Sequence, residues 1–384
     1  IRAMYYDPSN QELWIGNKSN GLYIYKKGKL YKHYNCDNQA KPLGRIYGFM
    51  RDREVVIWMS TKGNGLYKIT GSTKTELKFQ NFRHDSRNRY SLSSDNAYIT
   101  SQDRYGNLWV ATYGGGINLM LKNNKGGYDF INTNNLMTNY PRESYNKVRT
   151  LAADSYGNIW VGTSDGIVIV NYDIRHKRVN VKIPRKSGTE SQQLASNDIV
   201  QIVNDGHDVM WIATNGGGLS RTIGTDKCGN ILFESFGGKD ELPSDEVRSI
   251  TFDQYGNVWF ATDHIICSYD VHKHLFTSLS LQDGVDDTMC SECAAITLND
   301  GKMLFGTLNG YYTVDRKNLI NSHASMLKLK ITDFFINDEL ITPRLNDYYT
   351  YYVPDSKSVE LPSRSSVFSF RFASLNYQLQ HRVH

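Results

Sequence analysis

The sequence predicts an all-β chain: a seven-bladed β-propeller followed by the opening strands of a β-sandwich. Three observations carry that prediction. The six tryptophans, Trp14, Trp58, Trp109, Trp160, Trp211 and Trp259, recur at spacings of 44, 51, 51, 51 and 48 residues. Each stands in nearly the same phrase: LWIGN (13–17), IWMST (57–61), LWVAT (108–112), IWVGT (159–163), MWIAT (210–214) and VWFAT (258–262). No stretch sustains a helical apolar period. A fixed period of this length, built from strand-like phrases, marks one supersecondary unit repeated, and units of about 40–50 residues with four strands each are propeller blades. The rival is an open solenoid, whose repeats usually carry helices or are much shorter.

The elements follow in order within each copy. The best copy runs from Asp95 to Met120. Tyr98-Ile99-Thr100-Ser101 is short and β-prone. Asp103-Arg104-Tyr105-Gly106-Asn107 is turn chemistry, because Asp bonds its own backbone and Gly takes positive φ without a steric cost. Leu108 to Thr112 is an apolar strand, Gly114-Gly115-Gly116 a second tight turn, and Ile117 to Leu121 a third strand. A more polar fourth stretch precedes the next copy, so each unit reads as antiparallel hairpins. An Asp stands six residues before five of the tryptophans (Asp52, Asp103, Asp154, Asp205, Asp253) and Asp7 seven before the first. A seventh copy, MLFGT (303–307), puts Leu304 where Trp is expected and lacks an obvious fourth strand. Ring closure is therefore expected either to need residues before Ile1 or to be incomplete. The copies at Asp52 and Asp205 lack the Gly-Asn of the first turn. The six tryptophans are expected to be structural, filling the wedge between blades, where burying a ring contributes a few kcal/mol.

Strand direction sorts the turns between two faces. If the first strand runs from an entrance face to a far face, the Asp-x-x-Gly-Asn turns lie far, and the Gly-rich turns and the connectors lie at the entrance. Entrance-face candidates are Asn96, Tyr98, Lys147, Arg149, Asn197, Glu246 and Arg248 from the connectors, with Asn17, Tyr113, Asp165, Asn215 and His264 from the turns. Tyr98, Tyr113, Arg149, Asn215 and Arg248 are the candidate ligand-binding residues. Tyrosine rings stack on sugar faces, and arginine pairs bidentately with a carboxylate or sulfate. For an acidic ligand, Lys147, Arg149 and Arg248 are expected to matter most.

Composition narrows the classes. The 384 residues carry a net charge of +5 with no Lys/Arg block, which argues against a nucleic-acid groove. Tyrosine is abundant at 26, which suits amphipathic ligands such as sugars or peptides but also suits strands. No apolar run approaches the ~18–20 residues of a membrane helix. The first residue is Ile and no signal peptide is present, so the chain is expected to be a processed product or an excised piece. The five cysteines (36, 228, 267, 290, 293) form no framework. Cys290-Ser-Glu-Cys293 is a lone CxxC; His272 and His274 belong to another repeat, and strand alternation would turn the two thiols to opposite faces. No metal and no cofactor is expected.

Beyond about residue 322 the phrase changes. Leu327, Leu329 and Ile331 alternate with Lys328, Lys330 and Thr332, a turn is expected at Asn337-Asp338, and Phe368, Phe370 and Phe372 share one face. We therefore expect a propeller over 1–322 and, over 323–384, the first part of a sandwich that continues in a longer parent.

The repeated phrase D-x-x-G-N-[LIV]-W-[VI]-[GA]-T-x-x-G-[GL] resembles the two-component regulator propeller repeat. CAAITLNDGKMLFGTLNGYYTVD (293–315) is similar to that family's last blade, with Thr307 in place of a common Gly. LKLKITDFFINDELI (327–341) and SSVFSFRFASLNYQ (365–378) resemble the opening of the adjoining Ig-like triple-tyrosine (Y_Y_Y) domain. The resemblance implies the periplasmic ectodomain of a membrane-anchored hybrid two-component sensor histidine kinase of Bacteroidetes. It implies an oligosaccharide ligand, induction of glycan-use genes, and a homodimer through the triple-tyrosine domain; a second propeller often precedes. Two other readings stay open. A propeller glycosidase or lyase would need paired carboxylates, and Asp165, Glu246 and Asp263 at the entrance are not specifically paired, while Asp103, Asp154 and Asp253 cap turns. A protein-binding scaffold is the other. No catalytic residue is expected.

Overall fold

In a computed structural model the described residues are 1–19, 21–184, 188–189, 192–240, 242–279, 283–316, 329–340 and 367–374. They divide into two units, residues 1–315 and 316–384.

The first unit is seven antiparallel sheets, one per copy of the tryptophan phrase. Six have four strands in sequence order, and the seventh has three. The first strands are Ala3–Asp7, Arg45–Arg51, Ala97–Gln102, Val148–Ala153, Ile199–Asn204, Val247–Phe252 and Cys290–Thr297. Each packs beside the first strands of both neighbouring blades, and the strand of blade 7 packs beside that of blade 1. Seven sheets whose inner strands form such a cycle make a closed propeller. The tryptophans lie on the second strands and pack into the following blade. Trp14 lies with Ile46 and Met59, Trp58 with Ala97 and Val110, Trp109 with Val148 and Val161, Trp160 with Ile199 and Ile212, and Trp211 with Val247 and Phe260. The wedge expectation holds at these five junctions.

The ring closes, against the expectation of an open or incomplete junction. Leu304, in the tryptophan position of blade 7, is buried with Met4, Ile15 and Ala294. A Cβ on Gly306 would stand 3.2 Å from Ile1 Cγ2. Closure therefore rests on side-chain packing between sheets, with no fourth strand in blade 7 among the described residues. The small residue fourth in the phrase has the same cause. A Cβ on Gly16 would lie 2.4 Å from Ile46, and one on Gly162 would lie 2.7 Å from Ile199, both on the next blade's inner strand.

Two side chains build the turns. Asp103 Oδ1 accepts the backbone N–H groups of Tyr105 and Asn107, each at 2.9 Å. Its Oδ2 accepts Asn107 Nδ2 at 2.8 Å and the indole Nε1 of Trp109 at 3.1 Å. Asp154 with Trp160 and Asp253 with Trp259 repeat the pattern, and Asp52 accepts Trp58 Nε1 at 2.8 Å. That indole bond explains the six-residue spacing. In blade 1 the indole of Trp14 turns instead to Glu12 Oε2 at 3.4 Å. At the other end the phrase's Thr caps the tight turn: Thr61, Thr112 and Thr163 Oγ1 each donate 2.8 Å bonds to the carbonyls of Gly65, Gly116 and Gly166.

The second unit, as described, is a three-stranded antiparallel sheet in the order Glu339–Leu340, Leu329–Ile336, Phe368–Ser374. Asn337 and Asp338 have φ of 48° and 68°, the pair of positive values a two-residue hairpin turn needs. Phe368, Phe370 and Phe372 share one face, with Phe370 5.0 Å from Phe334. Leu327, Lys328 and the segment 341–366 lie outside the described residues.

Candidate functional site

The entrance end of the axis is built by a repeated irregularity. In blades 2 to 6 the inner strand begins with a β-bulge against its partner. Ile46 pairs with Thr61 but Gly48 with Ser60; Ala97 with Thr112 but Ile99 with Ala111. Val148 pairs with Thr163 but Thr150 with Gly162; Ile199 with Thr214 but Gln201 with Ala213; Val247 with Thr262 but Ser249 with Ala261. The residue left over in each blade is Tyr47, Tyr98, Arg149, Val200 or Arg248. A bulged residue leaves the ladder and its side chain is re-aimed; the tyrosines and arginines turn into the mouth of the ring, and Val200 is buried in the core with Trp211 and Val247. Blade 7 shifts further, pairing Cys290 with Thr307 and then Ala295 with Phe305, and so brings Glu292 and Cys293 to the same place. Cys293 takes φ of 54° there.

These residues form one continuous network. Tyr98 lies between Tyr47, at 4.5 Å between ring centroids, and Tyr113, stacked at 5.2 Å and 15°. Arg2 stands over Tyr47 at 4.7 Å and donates from Nη2 to Glu292 Oε2 at 3.1 Å. Arg248 pairs with Glu246 and reaches Glu292 Oε1 at 3.4 Å, so Glu292 bridges arginines of blades 1 and 6. Arg149 pairs with Asp198, whose other oxygen accepts Asn215 Nδ2 at 2.9 Å. The thiol of Cys293 donates to the Val200 carbonyl at 3.3 Å.

The five predicted binding residues thus meet at one mouth, in different states. Tyr98 is 8 % exposed, with neighbours on its ring; burial pushes its hydroxyl pKa well above the usual range. It supports Tyr113, which is half-buried and more open. Arg149 and Arg248 are already neutralised by carboxylates, so neither is a bare anion anchor. Asn215 Oδ1 and Arg248 Nε are buried with no hydrogen-bond partner, and such atoms call for a ligand or water. Of the wider candidates, Asn17 lines a cavity of about 530 Å³ between blades 7 and 1, with Tyr23 and Tyr311. Asp165 and Asn197 line one of about 230 Å³ between blades 4 and 5, with Tyr145 and Phe233. His264 pairs with Asp287 at 3.3 Å. Sequence reading missed Tyr47 and Glu292. Tyr47 occupies the repeat position of Tyr98 and could have been found by that alignment. Glu292 depends on an insertion that the repeat does not contain.

The arginines and carboxylates of the mouth pair with one another. Each carboxylate there, Asp198, Glu246 and Glu292, is held by an arginine. Burial pushes the Cys290 thiol up to about 12 and raises that of Cys293, so neither is a ready thiolate. The bulge also replaces the strand alternation expected between these two cysteines. His274 Nδ1 lies 2.9 Å from the Tyr269 hydroxyl. Among the described residues no group of three or more His, Cys, Asp or Glu could hold a metal ion.

Comparison with known proteins agrees with this architecture. Residues 91–114, 143–165 and 241–264 match the family pattern described as "Two component regulator propeller". "Histidine kinase P4" of Formosa agariphila is 24 % identical over 375 residues, covering 95 % of this chain and 26 % of that protein. The extracellular domain assigned to a hybrid two component system of B. thetaiotaomicron superposes with a TM-score of 0.68 at 23 % identity, covering 99 % of this chain and 47 % of its own. A virginiamycin B lyase from Staphylococcus aureus shares the fold with a TM-score of 0.58 at 14 % identity over 81 % of this chain and 93 % of the lyase. The chain spans about a quarter of the kinase and about half of the extracellular domain. The family pattern matches three of the seven blades, the third, fourth and sixth.

Proposed function

We propose that this chain is the ligand-sensing, periplasmic part of a membrane-anchored hybrid two-component sensor histidine kinase, and that it performs no turnover itself. Its ligand is an oligosaccharide released from a glycan, received at the mouth of the ring, and the response is induction of glycan-use genes. The propeller over 1–322 is followed, over 323–384, by the opening of the sandwich domain through which the sensor dimerises. The observation that carries this reading is the bulge series, which places Tyr47, Tyr98, Arg149 and Arg248 from four blades around one opening. The shared repeat and the likeness to a sensor's extracellular domain support it.

Binding alone does not signal; the ligand must prefer one arrangement of the assembly over another. Moving that equilibrium from 1:99 to 99:1 takes about 5.5 kcal/mol of differential affinity. A closed ring with buried junctions keeps its shape, so the change is carried at its boundaries. The test is calorimetry of the chain against defined oligosaccharides. Tyr113→Ala is expected to weaken binding about tenfold, the equivalent of ~1.4 kcal/mol, with the fold intact. Full affinity in that variant would remove the mouth as the site. New reducing ends in a glycan digest would show turnover and overturn the non-catalytic reading.

A second reading, a protein-binding scaffold, is favoured by the opposite end of the ring. Tyr105, Tyr156 and Tyr255 stand on the far turns of blades 3, 4 and 6 at 67 %, 72 % and 59 % exposure. A glycan array without hits, together with loss of a protein partner on Tyr105→Ala plus Tyr156→Ala, would favour it.

A further inference from the structure

The charges of the mouth are unevenly compensated, and this deepens the sensing reading, on which the inference rests. Arg2, Arg149 and Arg248, from blades 1, 4 and 6, are matched by Glu292, Asp198 and Glu246. Lys62 is different. It is half-buried, and its Nζ lies 5.9, 6.0 and 6.0 Å from the ring centroids of Tyr47, Tyr98 and Tyr113. No carboxylate pairs with it among the described residues. In the other six blades its place, directly after the second strand's end motif, is held by Lys18, Tyr113, Ser164, Asn215, Asp263 and Leu308, and Lys18 of blade 1 is exposed. Lys147 is exposed, forms no ion pair among the described residues, and bridges to Tyr113 through its backbone. Lys62 and Lys147 therefore present unpaired positive charge around the tyrosine stack, while the three arginines of the mouth are matched.

An ammonium beside aromatic faces keeps part of its electrostatic demand unmet, because ring quadrupoles replace an anion only weakly. A strongly charged group in a partly desolvated niche is the place where an oppositely charged ligand atom gains most. We propose that the mouth selects an acidic saccharide, whose carboxylate or sulfate is held by Lys62 with Lys147, while the adjoining sugar ring packs on Tyr113. The Arg149 and Arg248 pairs then serve as fixed donors for hydroxyls, through groups such as Arg248 Nε.

The experiment is calorimetry of the full chain with three tetrasaccharides of equal length: tetragalacturonate, a sulfated galactose tetramer and neutral galactotetraose. The expected result is at least tenfold tighter binding of one acidic probe than of the neutral one at low salt, with the preference shrinking as salt is raised. The two acidic probes separate carboxylate from sulfate. Lys62→Met keeps the aliphatic stem and should erase the preference without abolishing neutral binding, and Lys62→Arg should restore it. Equal or tighter binding of the neutral probe, or a preference untouched by Lys62→Met, overturns the proposal while leaving oligosaccharide sensing intact. Failure of all three probes to bind the folded chain overturns both.

Discussion

Asp103 accepts four hydrogen bonds, and one of them comes from an indole six residues along. The carboxylate is fully buried, and Trp109 beside it is equally so. Removing such an acceptor strands buried donors, each of which costs about 1–3 kcal/mol. Asp103→Ala is therefore expected to lower stability by about 2–4 kcal/mol in urea titration. A loss below about 1 kcal/mol would mean that water replaces the carboxylate. Val55 stands where blades 3, 4 and 6 place Gly106, Gly157 and Gly256, and it takes φ of 67°. A β-branched residue there is strained by roughly 1–2 kcal/mol, and its side chain is largely exposed. Val55→Gly is expected to raise stability by about 0.5–1 kcal/mol once the flexibility of glycine is subtracted. An unchanged or lower urea midpoint would show that the strain is absent.

Turns on the far end are latched to one another. Arg53 Nη1 donates to the Arg104 carbonyl at 2.7 Å, and Arg104 Nη1 to the Ser155 carbonyl at 2.7 Å. Ser155 in turn donates its backbone N–H to Asp208 at 2.8 Å and its hydroxyl to the same carboxylate. In blades 2 to 4 the residue after the turn Asp thus reaches the next blade. The Ser155 hydroxyl, and then its N–H, hold the Asp208 carboxyl below the usual carboxylate range. A depressed folded pKa means that the unfolded chain binds more protons. The contribution is present above the unfolded value, about 3.9, and is lost as pH falls through the folded value. Asp208→Asn should therefore cost stability at neutral pH and flatten its decline below about pH 4. Urea midpoints taken from pH 6 down to pH 3 measure this; parallel curves for the two proteins would contradict it.

Closure is a property of the whole ring. The junction of blades 7 and 1 joins residues some three hundred positions apart through Leu304, Met4, Ile15 and Ala294. Leu304→Ala opens a cavity there, and such substitutions cost about 2–5 kcal/mol. The first unit is expected to lose that stability as one cooperative transition, with faster amide exchange in both Ala3–Asp7 and Met303–Thr307. Faster exchange confined to blade 7 would mean that the ring does not act as a unit.

The sequence by itself determined the repeat, the number of blades, the two kinds of turn and the burial of the tryptophans. These rest on interactions within about six residues, as between Asp103 and Trp109, and on a period that any one blade displays. Tyr98, Tyr113, Arg149, Asn215 and Arg248 were legible as sharing one end, because strand direction alone sorts ends. Which of them are spent on one another was not legible. Only the tertiary structure decided that Arg2 meets Glu292 across 290 residues, that Arg149 and Arg248 are already paired, and that Lys62 is left unmatched. The physical reason is that a bulge in each of blades 2 to 6, and a larger shift in blade 7, moves side chains out of their ladders into a space shared by distant segments. Charge pairing in that space depends on distances that no local pattern encodes.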